Sequence, residues 1–119
     1  TIVNDCHKKK PIYNVYCSVM LLVCGLITAH HESSAELYQV VQKSLRFDVA
    51  ELTIQVGDKV RFINEDGVFH NVFSLSDAKL FDLGAYPKGE YRDVVFDVSG
   101  VVEVECAIHP DMQLKIEVK

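Results

Sequence analysis

From residue 37 onward the chain is punctuated too often for long helices, because short apolar runs are broken every few residues by turn formers. Residues 37–49 carry Leu37, Tyr38, Val40, Val41, Leu45, Phe47 and Val49 in β-rich runs interrupted by Gln, Lys and Ser. Residues 51–56 alternate polar and apolar, the period-two signature of a half-buried strand, and Gly57-Asp58 then supplies a turn. Residues 60–64 form another such run, ended by Glu65-Asp66-Gly67, and residues 69–75 a fourth, with His70 near its start. Strands resume over 91–98, turn at Ser99-Gly100, and continue over 101–106 and 113–118. Between them, Ser76, Asp77, Ala78, Lys79, Gly84, Pro87 and Gly89 interrupt any period, while Leu80, Phe81, Leu83 and Tyr86 offer apolar anchors. That pattern predicts a packed loop over 76–91 with at most one helical turn. The expectation is an all-β domain over 37–119, an antiparallel sandwich of seven to eight strands.

The first 29 residues do not share this texture. Lys8-Lys9-Lys10 precede an apolar run over 15–27, and small residues follow at Thr28 and Ala29. Basic, apolar and small-residue regions in that order are the layout of a secretory signal peptide, cleaved most simply after Ala29. The mostly apolar stretch 12–29 leaves an uncleaved membrane anchor as the alternative. Residues 30–36 read as a flexible polar lead-in. Three of the four cysteines, Cys6, Cys17 and Cys24, lie before residue 30, so the remaining domain holds Cys106 alone. A lone thiol in an exported domain forms no internal disulfide and is exposed to oxidation unless it is buried or metal-bound.

Cys106 does not stand by itself. The run Cys106-Ala-Ile-His109-Pro-Asp-Met112 sets a thiol, an imidazole and a thioether three residues apart, and His70 lies thirty-six residues upstream of the Cys. A trigonal His₂Cys copper centre with a weak axial Met requires this donor set. Soft sulfur suits Cu(I) and imidazole suits both oxidation states, so a mixed set strongly prefers neither. A Cys ending one strand and a Met opening the next can face one metal if the turn between them carries the His. Taken singly, each has a plainer reading: His70 as a hydrogen-bonded core residue, Met112 as core filler, His109 as a surface turn residue. Zinc is the chemical rival, but thioether is a poor zinc ligand and the domain offers no second Cys.

With these residues in view, the chain resembles the cupredoxins of the plastocyanin, pseudoazurin and amicyanin type over residues 36–119. The short Cys-x-x-His-x-x-Met loop with Pro after the His is most similar to amicyanin. His70-Asn71-Val72-Phe73-Ser74, Phe81-Asp82-Leu83-Gly84 and Tyr86-Pro87-Lys88-Gly89 resemble bacterial cupredoxins labelled methylamine-utilisation proteins. The resemblance implies a Greek-key sandwich and one type 1 copper held by His70, Cys106, His109 and Met112. It implies that Asn71 ties the two ligand loops together, its backbone N–H aimed at the thiolate. It also implies that the His109 ring edge reaches the surface through an apolar patch, for which Val68, Ala107, Ile108 and Pro110 are available.

The function expected is an exported, periplasmic carrier of single electrons between transiently bound redox proteins. No Ser–His–Asp set, paired acid/base carboxylates, phosphate loop or dinucleotide motif argues for an enzyme or a small-molecule substrate. The chain's net charge is −5, and three Lys and one Asp precede residue 30, so residues 30–119 carry −7. That acidity argues against nucleic acid or anionic lipid as a partner, with membrane contact arising only through an uncleaved leader. The alternative is a periplasmic copper-handling protein. For that role, cleavage after Ala29 would expose His30 and His31, whose imidazoles and α-amine would chelate a second copper; the plainer reading of the pair is a polar tail.

Overall fold

The alternating runs become nine strands in a computed structural model that describes Ala29 and residues 32–119. The expected leader, the first part of the lead-in and the His30/His31 pair therefore lie outside the described residues, Ala29 apart. In chain order the strands are β1 (Leu37–Lys43), β2 (Arg46–Phe47), β3 (Glu51–Ile54), β4 (Lys59–Asn64) and β5 (His70–Ser76). They continue with β6 (Lys79–Tyr86), β7 (Tyr91–Val95), β8 (Gly100–Glu105) and β9 (Gln113–Val118). A four-stranded sheet runs β2-β1-β4-β7, and a five-stranded sheet runs β3-β9-β8-β5-β6. Among the described residues, no helix is long and apolar enough to cross a membrane.

Three features correct the sequence reading. Residues 79–86 form a strand, not a loop, paired antiparallel with β5 from His70↔Tyr86 to Ser76↔Lys79. The supposed breakers sit where a hairpin tolerates them: Asp77-Ala78 fill the two-residue turn, and Gly84 takes a φ of 68°. The register shift between Asn71 and Phe73 absorbs the extra residue as a bulge. The second correction concerns direction, since β1 pairs with β4 and β3 with β9 in parallel. Alternation reports which face of a strand is buried, and it is silent on the direction of the neighbour. The seventh strand is also shorter than expected, with Phe96 leaving it as a fully buried residue.

The core lies between the inner faces of the sheets and follows period two along each strand. Val60 and Phe62 on β4, Val102 and Val104 on β8, and Leu114, Ile116 and Val118 on β9 are all buried. Each such side chain contributes roughly 1.5–3 kcal/mol relative to exposure. This phase carries the chemistry to one end of the sandwich. Cys106 extends the inward set of Val102 and Val104 one step past β8, and Met112 precedes the inward set that begins at Leu114. The antiparallel pairing Glu105↔Gln113 brings the two ends of that loop side by side.

Candidate metal centre

The loop between β8 and β9 is short because Pro110 presets a tight turn. The Met112 N–H donates to the His109 carbonyl at 3.0 Å, closing a four-residue turn with Pro110 at its second position. Cys106 and Met112 are buried at either end of the loop, Ala107, Ile108 and Pro110 are exposed, and His109 is half-buried. His70 enters from the neighbouring strand β5 and is completely buried.

Three donor atoms converge here. His70 Nδ1 and His109 Nδ1 lie 3.2 Å apart, and Cys106 Sγ lies 4.0 Å from the first and 3.8 Å from the second. A point equidistant from all three is roughly 2.1 Å from each, close to the bond lengths first-row metals make to imidazole nitrogen and thiolate sulfur. The rings meet at 65° with centroids 4.9 Å apart, so both nitrogens face the shared point without stacking. Soft thiolate with two imidazoles, and a buried thioether-bearing residue closing the loop, fits a single type 1 copper site.

Asn71 sits between the two ligand-bearing segments. Its backbone N–H points at Cys106 Sγ at 3.4 Å, and its side-chain Oδ1 accepts a long contact, also 3.4 Å, from the Ala107 N–H. The amide is oriented by Asp82, which accepts from Asn71 Nδ2 at 2.8 Å and from the Gly84 N–H at 2.9 Å. Those donors, the Gly84 amide foremost, hold the Asp82 carboxyl below its ordinary pKa against a small opposing effect of burial. Sequence reasoning passed over Asp82 because its strand was read as a loop.

Asp66 was also missed. Its Oδ2 lies 2.7 Å from His70 Nε2, and its two oxygens accept the N–H groups of Ser44 at 2.7 Å and Leu45 at 2.9 Å. Burial would raise its pKa, but the Leu45 and Ser44 amides and the His70 ring outweigh that and lower it. Ser44 and Leu45 are the whole turn between β1 and β2, with φ of 54° and 58°. That conformation costs a side-chain-bearing residue about 1–2 kcal/mol, so the turn depends on outside support.

Behind the site lies a buried polar network. The Tyr86 hydroxyl donates to Gln42 Oε1 at 2.7 Å, and Asn64 Nδ2 donates to the carbonyls of Val68 at 2.8 Å and Tyr86 at 3.0 Å. Burial keeps the Tyr86 phenol protonated far above its usual range, opposed by the Arg92 guanidinium and reinforced by Cys106. In front, an open groove of about 400 Å³ runs beside His109, walled by residues 44–46 and 108–111. Ile108, which lines the groove, is about half exposed, and so is Val68. Leu45 and Phe69 are as exposed as they are, and sequence reasoning did not include them.

The fold and the site have counterparts among known proteins. Residues 35–119 match a family described as copper binding proteins of the plastocyanin/azurin family. A Cu(I) amicyanin variant is 23% identical, with a TM-score of 0.65 over 70% of this chain and 82% of that chain. Another Cu(I) amicyanin variant is 24% identical, with a TM-score of 0.66 over 74% and 87%. A Cu-containing nitrite reductase from Thermus scotoductus SA-01 is 26% identical, with a TM-score of 0.65 over 69% of this chain but only 22% of that one. The amicyanin likeness establishes a cupredoxin-like fold, and the reductase shows that this fold also occurs inside a larger enzyme. Sequence comparison with curated proteins finds no match.

Proposed function

Since the chain belongs to the plastocyanin/azurin family of copper-binding proteins, we propose that it carries single electrons between redox proteins, with His70, Cys106, His109 and Met112 as the ligands of one copper. The observation that carries this reading is the triangle of His70 Nδ1, Cys106 Sγ and His109 Nδ1, whose sides are 3.2, 3.8 and 4.0 Å. Copper bound there supplies a one-electron couple that neither sulfur nor imidazole donation drives strongly to one side.

The residues of the chain do the rest. Burial of Cys106 and His70 excludes water from the thiolate and one imidazole. The Asn71 backbone N–H stabilises negative charge on Cys106 Sγ, and the Asn71 side chain holds the ligand loop against β5. His109 alone of the converging three is only half-buried, and its ring borders the groove. The exposed apolar residues Val68, Ala107, Ile108 and Pro110, of which Ile108 and Pro110 line the groove, suit a partner that must approach closely and leave quickly, since weak redox encounters bury little area. We place the working protein outside the cytoplasm, in a periplasmic setting, on the family and on the signal-like order of residues 1–29.

The test is spectroscopic. Copper(II)-loaded protein is expected to show an intense visible thiolate-to-copper band that Cys106→Ser abolishes; a colourless wild type at full copper occupancy overturns the assignment. Ile108→Lys is expected to leave the band intact while slowing exchange with a redox partner, and an unchanged rate would move the exit away from His109.

A further inference from the structure

The two nitrogens of the His70 ring have different neighbours. Nδ1 faces His109 Nδ1 at 3.2 Å, whereas Nε2 faces Asp66 Oδ2 at 2.7 Å. An ionised carboxylate accepts hydrogen bonds and cannot donate, so this contact places a proton on Nε2. In the neutral ring that leaves Nδ1 bare, with its lone pair directed at the point it shares with Cys106 and His109.

Asp66 is itself held firmly. It accepts from the Ser44 and Leu45 amides, twenty-two and twenty-one residues away, and its own N–H donates to Asn64 Oδ1 at 2.8 Å. Its side chain is 15% exposed, and the imidazole it meets is 0% exposed. An exposed ion pair flexes and is screened by solvent, whereas this carboxylate is held by two backbone amides against a fully buried ring. Its amide partners form the turn that walls the groove beside His109, so one carboxylate ties the buried imidazole to the rim of the site.

We propose that Asp66 is a positioning residue for the metal centre: it locks His70 in the Nε2–H tautomer and, by its charge, strengthens the ring as a donor to Cu(II) more than to Cu(I). This rests on the reading of His70 as a ligand. A carboxylate hydrogen-bonded to the far nitrogen of a ligand histidine fixes ring orientation and raises its basicity. The more highly charged oxidation state gains more from both, so Asp66 lowers the reduction potential.

Asp66→Asn keeps the size and an acceptor oxygen while removing the charge. In copper-loaded protein, the variant is expected to retain the visible thiolate band while losing about tenfold more affinity for Cu(II) than for Cu(I). For a one-electron couple that is a rise in potential of about 59 mV. An intact band with an unchanged potential overturns the proposal, whereas a wild type without the band overturns the ligand assignment instead. Nitrogen-15 NMR of metal-free wild type reads the tautomer directly and does not depend on how the variant folds. His70 is expected as a single Nε2–H form, and a mixed or Nδ1–H population overturns the lock.

Discussion

The two histidines offer the same atom to the same point, yet the fold treats them in opposite ways. His70 lies inside a sheet, completely buried, with its second nitrogen engaged by Asp66 and its neighbour Asn71 tied to Cys106, Ala107 and Asp82. His109 rides a loop closed by one turn hydrogen bond, half-buried, with its ring against an open groove. One side of the site is held from several directions, and the other opens on a groove. A centre made wholly of the first kind would be rigid but sealed, and one made wholly of the second would be reachable but loose.

The largest expected effect separates the two sides by access. His109→Gly opens its vacancy to the groove, so millimolar imidazole added to copper-loaded protein is expected to restore the visible band. His70→Gly leaves a vacancy sealed from solvent, and the same addition is expected to restore nothing. Equal rescue of both variants, measured by absorbance, would erase the distinction.

Stability sharpens the contrast at the next level. Asn64 braces the approach to His70 by donating to two carbonyls and accepting the Asp66 amide. Asn64→Ala leaves the buried Tyr86 carbonyl and two part-buried groups without this partner, at roughly 1–3 kcal/mol for a buried group, so a loss of about 2 kcal/mol or more is expected in urea unfolding. Ile108→Lys on the loop side touches no such network and is expected to change stability by about 0.5 kcal/mol or less. A loss of several kcal/mol there would mean that the loop, too, is a holding element.

The smallest effect is a pH dependence on the holding side. Asp82 orients the Asn71 amide, and its folded pKa lies below the ordinary value. A depressed carboxyl adds stability that is complete above its unfolded pKa of about 4 and is lost as pH falls through the folded value. Wild type is therefore expected to be more stable than Asp82→Asn at pH 7, with the gap narrowing towards pH 3. A gap that stays constant with pH would assign the effect to packing alone.

What was legible in the sequence follows the reach of each signal. Cys106, His109 and Met112 are local, and the inward phase of Val102 and Val104 carries straight into Cys106. The placement of His70 beside them came from family resemblance, because thirty-six intervening residues fix no distance. Asp66 was invisible because it works across space, joining a turn at 44–45 to a ring at 70 through irregular backbone. The turn it supports lacks the Asn or Gly that usually announces positive φ, so composition offered no hint. β6 was misread because its breakers occupy a turn and a bulge, positions that only pairing with β5 reveals.

The place of β9 in its sheet governs the order of assembly. It lies between β3 and β8, so β3, made some sixty residues earlier, has no partner in that sheet until Gln113–Val118 arrives. Pairings this distant in sequence close late and slowly. A nascent chain therefore carries an unsatisfied strand edge while the segment between β3 and β9 is made, a state open to mispairing. Because the Cys106–Met112 loop leads directly into β9, the step that closes the sheet also fixes the two ends of that loop. The metal centre is thus a report of completed folding: a partly made chain can present His70, but not the full set of donors in one place.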